Sequence, residues 1–489
     1  MLTVEQIRLL MDKDAASERK QEAETGQRYY NGKHDIEKRR IFFVDKDGNY
    51  QEDKLKCNIR ISHPFHRELT DQLVQYLLSN DESYIRSDDA KLQAELDSRF
   101  NENETFTAEL YKMLTGVIAK GWDYMYSYRD ENKETCFQHA DSLCVTEVRE
   151  NDTDENCEYL IYSHTETVID KTVRRIEVYD AEKVWFYCQV DDGEIVEDDS
   201  KPINPRPQTL YKRKTDEKPY HNSKMGYGQI PFYRMDNFPD AKSDLFLYKD
   251  KIDDYDLMNC GLSNAIEDTA EAYYAVTGFE GDDIDELILT LKAKRAIGVG
   301  EGGTVDIKTI DVPVEARKAK MDIDKANIYQ FGQGLSMEGL KDTAATTNIA
   351  IKSAYSGLNA RAVKIRIGLE QFLRMLLNVV LPEINAKLGT AYSQSDVYFV
   401  FDPEIPTNEL ENAQIALAKA QTRQTEINTL LNLETQLGFD LTMQLVFEQL
   451  ELDYDEYKNK LPKPEEIDPY GVLMNAPVED DAEGAEAVE

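Results

Sequence analysis

The segment from Leu245 to Val276 constrains the fold more than any other, because apolar residues recur in it at heptad spacing over more than four heptads. One register holds Leu245, Ile252, Asn259, Ile266 and Tyr273, and the complementary register holds Tyr248, Tyr255, Leu262, Thr269 and Val276. Eight of these ten positions are apolar, and Gly278 is placed to end a helix. At about 1.5 Å per residue the pattern predicts a helix roughly 50 Å long, packed as a coiled coil or as a long core helix.

The residues after this helix predict a small β module and a returning helix. Residues 282–291 favour a short helix, and residues 295–299 and 304–310 favour a hairpin around a glycine turn. Pro313 is placed to open a second helix with an apolar stripe at Val314, Met321, Ile328 and Phe331. The order is therefore helix out, β module, helix back, followed by a loop rich in small residues.

The rest of the chain predicts an α+β fold that is predominantly helical. The first half reads as helices around a small antiparallel sheet, with Asp45 to Gly48 as a turn between short strands. A second long helix is expected from Asn359 to Lys387, and Pro382 should kink or end it. The last 27 residues carry nine acids and one base without periodicity after Tyr470, which is typical of a solvated tail.

The overall charge excludes one class of function. Lys plus Arg number 57 and Asp plus Glu 94, so the formal charge is 57 − 94 = −37. Such a chain cannot clamp DNA over a broad surface, because neutralising phosphates needs clustered cations. Charge of this size also opposes loose self-association, so any assembly must depend on specific apolar faces.

Motifs that would indicate an active site or a metal are weak. The letters Gly298 to Gly303 fit a dinucleotide fingerprint, but a strand pattern follows where the fingerprint needs a helix. His63 and His66 beside Cys57 lack a second ligand pair, and Asp45 to Tyr50 fails as a calcium loop. We therefore expect no catalysis, no metal and no cofactor. Six scattered cysteines without C-x-x-C predict reduced thiols, and no signal peptide or membrane span is expected.

Several stretches, in order over about residues 25–460, carry a family resemblance. Residues 29–36 read YYNGKHDI, and Asn58-Ile59 and the helix of residues 69–78 follow. Residues 121–128 read GWDYMYSY, and residues 228–232, GQIPF, precede Asn237 and the helix that holds KIDDYD at 251–256. The chain thereby resembles the portal proteins of tailed bacteriophages, of the siphophage type.

The resemblance implies a portal fold with long stem helices, a β-containing wing and clip, and a helical crown. Its implied divisions are 1–241 wing, 242–278 first stem helix, 279–313 clip, 314–333 second stem helix, 334–358 tunnel loop region, 359–400 long wing helix and strand, 401–470 crown and 471–489 acidic disordered tail. The apolar seam would then pack stem helices against each other and against neighbouring subunits. This stem packing seam is expected at Leu245, Ile252, Tyr255, Leu262, Ile266 and Tyr273.

The resemblance also implies a function without catalysis. A ring of twelve subunits would form at one capsid vertex of the virion after assembly in the host cytoplasm, without a membrane. It would be the channel for packaging and ejecting double-stranded DNA, and it would bind terminase, major capsid, scaffolding and head–tail connector proteins. Residues expected to face DNA are Lys341, Thr346, Asn348 and Lys352. Residues expected to contact partners from the clip are Asp282, Asp283, Glu286 and Lys292.

Two other classes of function remain open at this stage. The first is an acidic coiled-coil structural adaptor that dimerises through the Leu245–Val276 seam and has no DNA channel. The returning helix and β module, which a simple dimer does not need, distinguish the portal from the adaptor. The second is a hydrolase or nuclease with a catalytic acid pair hidden among the 94 acids.

Overall fold

The computed structural model describes most of the chain. Outside the described residues lie 45–46, 54–55, 80–82, 131–133, 150–156, 169, 192, 209–228, 270–272, 278–303, 309–312, 337–347, 402–408, 451 and 461–489. The chain divides into two compact units. The first comprises 1–344 with 352–405, and the second comprises 345–351 with 406–489.

The described residues are predominantly helical, with smaller antiparallel sheets, which confirms the predicted α+β class. The α-helices are α1 (Val4–Ala15), α2 (Glu18–Tyr30), α3 (Phe65–Leu78), α4 (Ala90–Leu96), α5 (Glu104–Lys120), α6 (Lys249–Thr269), α7 (Val314–Phe331), α8 (Asn348–Leu388), α9 (Glu409–Asn432), α10 (Glu434–Leu437), α11 (Phe439–Gln449) and α12 (Tyr454–Tyr457). Helix α1 begins at the capping box formed by Thr3 and Gln6.

The strands form small antiparallel sheets. They are β1 (Phe42–Val44), β2 (Tyr50–Glu52), β3 (Ile85–Arg86), β4 (Trp122–Arg129), β5 (Thr135–Ala140), β6 (Val145–Val148), β7 (Tyr159–Val168), β8 (Lys171–Tyr179), β9 (Lys183–Val190), β10 (Ile195–Glu197), β11 (Arg206–Pro207), β12 (Phe232–Asp236), β13 (Tyr273–Thr277), β14 (Thr304–Lys308) and β15 (Tyr398–Phe399). A three-stranded sheet has the order β12-β4-β5, and a second has the order β10-β9-β8-β7-β6 with β11 on β9. Strands β1 and β2 pair antiparallel, which confirms the short strands predicted on either side of residues 45–48; residues 45 and 46 themselves lie outside the described part.

The largest core lies where α3, α5 and α8 pack with the three-stranded sheet. Helix α8 buries one face at helical spacing, and that face includes Ile365, Leu369, Phe372, Leu376 and Val380. Smaller clusters join α2 to β4, and α1 to the sheet that contains β7, β8 and β9. The first-half helices therefore fasten both sheets to one body.

The structure corrects the predicted bounds of α8. This helix begins at Asn348 rather than Asn359, so residues 348–358 are helix and not tunnel loop. It also continues through Pro382 to Leu388. A proline inside a helix costs about 3 kcal/mol. Here its neighbours Val380, Leu381 and Ile384 are buried in the core, and that packing offsets the cost.

The structure also corrects the single helix expected from Leu245 to Val276. A 3₁₀ turn at Asp244–Leu247 precedes α6, which ends at Thr269, and Tyr273 lies in β13 rather than in a helix. Strand β13 pairs antiparallel with β14, with Tyr273 opposite Lys308. The segment Tyr-Tyr-Ala-Val-Thr is rich in aromatic and β-branched residues, so strand pairing there prevails over the heptad pattern.

Candidate functional site

Helices α6 and α7 run as a pair whose base is packed into the first unit. Their shared apolar cluster comprises Tyr29, Phe65, Leu69, Leu245, Tyr248, Ile252 and Ile328. Ile252 and Ile328 are fully buried, and burial of a side chain of this size contributes about 1.5–3 kcal/mol. The pair is therefore held by contacts within one chain, before any second subunit is considered.

Polar contacts continue the pairing of the two helices beyond the apolar base. The Lys320 ammonium lies 2.6 Å from the Asp254 carboxylate on α6, and it also binds Asp324 one turn further along α7. These carboxylates raise the pKa of Lys320 through hydrogen bonds, Asp254 first and Asp324 second, so the bridge stays charged. At Gly261 the Arg317 guanidinium occupies the space of a side chain, with Nη1 2.1 Å from where a Cβ would lie. The helices thus approach closely at this glycine.

An extended segment, residues 58–63, crosses a different face of α6 and is called the strap here. The backbone N–H groups of Ile59, Ile61 and His63 donate to side chains of α6. Their acceptors are Asn264 Oδ1 at 2.6 Å, Cys260 Sγ at 3.1 Å and Asp256 Oδ1 at 3.0 Å. Every second strap residue is bound, and two residues of extended chain advance about 6.6 Å. The α6 acceptors are four residues apart, which is about 6.0 Å along a helix, so donors and acceptors have nearly the same spacing.

Two of these α6 side chains, Asn264 and Cys260, each bind both the N–H and the carbonyl of one strap residue. Asn264 Nδ2 donates to the Ile59 carbonyl at 3.4 Å, and Cys260 Sγ donates to the Ile61 carbonyl at 3.6 Å. Burial raises the pKa of the Cys260 thiol, which keeps it protonated and able to donate. Side chains of a helix thereby satisfy the strap's backbone much as a neighbouring strand would.

The Asp256 carboxylate is fully buried and joins three parts of the chain. His34 Nδ1 lies 2.6 Å from one oxygen, and His63 Nδ1 lies 2.7 Å from the other. His34 is itself stacked on Tyr29, with ring centroids 4.4 Å apart. Loss of Asp256 would leave several buried donors without an acceptor, so this residue is the centre of the network.

The end of α2 is tied to the start of α6 by a second ionic group. Lys249 lies 2.7 Å from Asp35 and 2.6 Å from Asp253, and the Tyr29 hydroxyl donates to Asp253. Burial opposes charge on Lys249, but its hydrogen bonds with Asp253 and Asp35 dominate and raise its pKa. Both carboxylates therefore hold a cation at the base of the helix pair.

A third polar cluster fixes the turn that leads into α6. Arg361 on α8 is almost fully buried, and its Nη2 and Nε donate to Asp244 at 2.7 and 3.2 Å. Asn237 donates to Asp244 at 2.7 Å and accepts from Arg361. A bidentate guanidinium–carboxylate pair sets a defined orientation, so α8 aims the start of α6.

The predicted stem packing seam divides between buried and exposed positions. Leu245 and Ile252 are buried against their own chain, in the cluster that joins α6 to α7. Tyr255 is half-buried beside His63 and Phe65, and Leu262 is also half-buried. Ile266 is 56% exposed. The physical reason is that side chains of α2, α3 and α7 pack on Leu245 and Ile252 from within the chain.

The residues expected to face DNA are not on one described loop. Asn348 and Lys352 lie in the first turns of α8, which corrects their assignment to a loop, and the Asn348 amide donates to Asn412 Oδ1 at 2.9 Å. Lys352 is exposed. Lys341 and Thr346 lie outside the described residues.

The four clip residues also lie outside the described part of the chain: Asp282, Asp283, Glu286 and Lys292. The predicted helix at 282–291, the glycine turn near residue 300 and the acidic tail lie outside it as well. The structure does describe the base of the β module, where β13 and β14 pair over five residues each.

Neither a metal centre nor a membrane helix is found in the part of the chain that the structure covers. Within it, no group of three or more His, Cys, Asp or Glu is arranged to hold a metal ion. His66, considered above as a ligand, is instead fully buried between the Tyr248 hydroxyl at 2.8 Å and the Ala119 carbonyl. No described helix is long and apolar enough to cross a membrane.

The sequence analysis did not predict the strap or its contacts with α6, although the residues involved lie in three of the stretches that carry the family resemblance. His34 belongs to the first stretch, Asn58-Ile59 to the second, and Asp256 ends the KIDDYD stretch. The structure brings all three together around α6. In the strap, apolar Ile59 and Ile61 alternate with polar residues, and this alternation is the local signal that could have indicated an extended segment.

The class of protein follows from comparison with known families. Residues 11–436 match the family described as phage portal protein, SPP1 Gp6-like, and this is most of the chain. The chain belongs to this family of phage portal proteins, which is structural rather than catalytic.

Two relatives carry the same description. The portal protein of Bacillus phage SPP1 is 25% identical over 353 residues, which cover 71% of this chain and 68% of the relative. The portal protein of Clostridium phage phiCD119 is 24% identical over 442 residues, which cover 85% and 89%. Among solved structures, the neck of an empty GTA particle is 12% identical over 72% of this chain and 84% of the other. The TM-score of this pair is 0.37.

Proposed function

We propose that twelve copies of this chain form a ring at one capsid vertex, through which double-stranded DNA is packaged and ejected. The family match over residues 11–436 is the observation that carries this proposal. In it, α6 and α7 are the stem, residues 1–241 the wing, residues 279–313 the clip and residues 401–470 the crown. Terminase, capsid, scaffolding and head–tail connector proteins are the proposed partners, and no catalysis is involved.

The charges of the stem helices support passage of DNA rather than binding. Helix α6 holds six acids against two bases, but most of these acids are compensated within the chain. Asp253 pairs with Lys249, Asp254 with Lys320 and Asp250 with Lys251, while Asp256 is buried. A helix whose acids are mostly paired or buried neither grips phosphate nor strongly repels it, which suits a polymer that must slide.

The buried seam weighs against the alternative of a dimeric coiled-coil adaptor. A coiled coil requires its apolar seam to meet a second helix from another chain. Leu245, Tyr248 and Ile252 instead pack with residues of α3 and α7 of the same chain. This part of the seam is therefore already buried within one chain and is not available to a second helix.

Assembly is tested by native mass measurement together with negative-stain imaging of the purified chain. We expect a ring of twelve copies with a central hole. A stable dimer without any ring would overturn the proposal.

Passage of DNA is tested by deleting residues 336–346, between α7 and α8. We expect rings to form while packaging or retention of DNA is impaired, and a deletion of residues 475–485 in the acidic tail is the control of equal length. Rings that package normally after the first deletion would remove this segment from the proposed DNA path.

Charge reversal at Asp282 and Asp283 tests the clip, and we expect weaker binding of connector proteins to intact rings.

A further inference from the structure

The chain leaves α7 beside α3, and one side chain of α3 binds its backbone there. The Leu335 N–H donates to Gln72 Oε1 at 3.0 Å, and Gln72 Nε2 donates to the Leu335 carbonyl at 3.2 Å. Leu335 is buried, and buried backbone groups need partners. The amide of a glutamine offers both an acceptor and a donor, so it can stand in for a neighbouring peptide group. Gln72 therefore fixes the chain just beyond the end of α7.

The end of α7 brings the chain onto α3. The Gly334 N–H donates to the Tyr329 carbonyl at 3.0 Å. The Gln333 N–H donates to the Gln330 carbonyl at 3.3 Å, and Gln333 has a φ of 51°. These two bonds form a Schellman motif, which ends a helix with one residue in the left-handed region. A Cβ at Gly334 would lie 2.1 Å from Leu69 Cδ2, so the chain approaches α3 closely here.

Helix α8 returns against the same place. A Cβ at Gly357 would lie 3.5 Å from the Gln333 carbonyl oxygen, so α8 lies in contact with the exit from α7. Two residues further along α8, Asn359 Oδ1 accepts from the buried Tyr76 hydroxyl at 3.2 Å. Tyr76 follows Gln72 by four residues, so both lie on one face of α3. This face therefore holds the chain before and after the segment that is proposed to lie in the DNA path.

Helix α3 is itself fixed in the first unit. Leu73 and Leu77 are buried in the largest core, and Leu69 belongs to the cluster at the base of the α6–α7 pair. Loss of the Gln72 amide would therefore leave α3 in place, while the N–H and the carbonyl of Leu335 would lose their partner. The expected damage is local to the exit from α7.

We propose that Gln72 is a positioning residue for the passage of DNA, because it holds the Leu335 backbone from which residues 336–346 start. The inference rests on the proposed function, in which this segment lies in the DNA path. Gln72 does not contact DNA in this proposal, since its amide is bound to Leu335. A functional segment keeps its place only when the residues that support it are themselves held by packing and hydrogen bonds. Release of Leu335 would therefore shift the segment relative to DNA.

The first test removes the amide and keeps the ring. Gln72→Ala is compared with Gln75→Ala, which also removes a glutamine from α3 but breaks a hydrogen bond to Tyr111 instead. In full-length rings of Gln72→Ala we expect the Leu335 N–H to exchange at least about tenfold faster, while ring formation stays within about twofold of the unmodified chain. Capsids built on these rings should hold at most about a fifth of the usual nuclease-protected DNA. Gln75→Ala should match the unmodified chain in all three measurements.

The second test measures the place of the segment rather than the stability of the chain. Lys341 is replaced by the photoreactive residue p-benzoylphenylalanine, and DNA-filled capsids are irradiated. We expect a crosslink between the portal chain and DNA when the rest of the chain is unmodified. Gln72→Ala should lower the yield per packaged genome at least about fivefold, and Gln75→Ala should leave it within about twofold. A side chain that only stabilised the fold would not change this yield in filled capsids.

The outcomes separate this inference from the proposed function. Rings of Gln72→Ala that fill and crosslink like the unmodified chain would overturn the positioning role and leave the channel standing. Failure of Gln72→Ala to form rings would overturn it as well, since the residue would then serve assembly. If position 341 gives no crosslink to DNA in the otherwise unmodified chain, the proposed DNA path along residues 336–346 is itself overturned, and this inference with it.

Discussion

Helices α6 and α9 both carry apolar residues at heptad spacing, yet they are buried to very different extents. At the start of α6, Tyr248 and Ile252 are buried against their own chain. In α9 the spacing runs through Ala413, Leu417, Ala420, Gln424, Ile427 and Leu431. Every side chain from Asn412 to Glu426 is nevertheless exposed, with Leu417 at 60%.

A heptad pattern therefore indicates where a helix will be buried but not by which chain. Helix α6 has the strap on one face and α7 on another, both close in space although distant in sequence. Helix α9 meets α11 near its end, where Arg423 Nε donates to the Gln449 carbonyl at 2.8 Å. Because isolated helices are marginal in water, the first half of α9 is expected to gain order only on assembly.

A charge placed in the seam of α6 has the largest expected effect on stability. Ile252→Asp puts an unpaired carboxylate into a fully buried apolar cluster, and we expect it to destabilise the first unit by at least about 4 kcal/mol. The urea midpoint of the full-length monomer measures the loss.

The matched control is Ile266→Asp, one seam position at which the side chain is 56% exposed. We expect the monomer of this variant to unfold within about 0.5 kcal/mol of the unmodified chain. If both variants unfold alike, the division of the seam into buried and exposed parts is wrong.

A second prediction concerns the network that closes α6. Asp256→Ala removes the acceptor for His34, for His63 and for the His63 N–H, so buried donors lose their partner. We expect a loss of about 2–4 kcal/mol in the free energy of unfolding. Hydrogen exchange should also show faster exchange at the N–H groups of Ile59 and Ile61.

The control for this network is Asp250→Ala, an exposed acid of the same helix. Its effect should stay within about 0.5 kcal/mol. An equally small effect of Asp256→Ala would mean that the strap does not need the carboxylate.

The third prediction is a pH dependence at the same base of the helix pair. Burial lowers the pKa of His66 from 6.5 to about 4, and the Ala119 carbonyl only partly opposes this. The folded chain keeps His66 neutral while the unfolded chain takes up a proton below pH 6.5. Stability should therefore be complete above about pH 6.5 and fall by about 3 kcal/mol on acidification to about pH 4.

Urea midpoints measured between pH 7.5 and pH 4 test this dependence. In His66→Phe the part of the slope that lies between pH 6.5 and pH 4 should disappear, whatever the variant's stability at neutral pH. Carboxylates with lowered pKa, such as Asp141 beside Lys120, stabilise the fold at neutral pH. They lose this effect only as the pH falls through about 4, because their unfolded pKa is near 4. An unchanged slope in the variant would contradict the role of His66.

What the sequence could predict was set by local signals. The helix from Val314 to Phe331 and the paired strands β1 and β2 follow from periodicity and turn signals within a few residues. The contact of the strap with α6 could not be found this way, because the bond from Ile59 to Asn264 joins positions 205 residues apart. The end of α6 was misplaced for the same reason, since pairing with a distant strand decided it.

The smallest effect on stability is expected for a substitution in α9. Leu417→Ser on α9 removes an exposed apolar side chain, so we expect less than about 0.5 kcal/mol in the monomer. Hydrogen exchange at residues 412–426 should be fast in the monomer and slowed in assembled rings, because the helix would then have a partner. In rings of the variant the slowing should be weaker. Strong protection of these residues in the monomer would show that α9 is closed by its own chain, as α6 is.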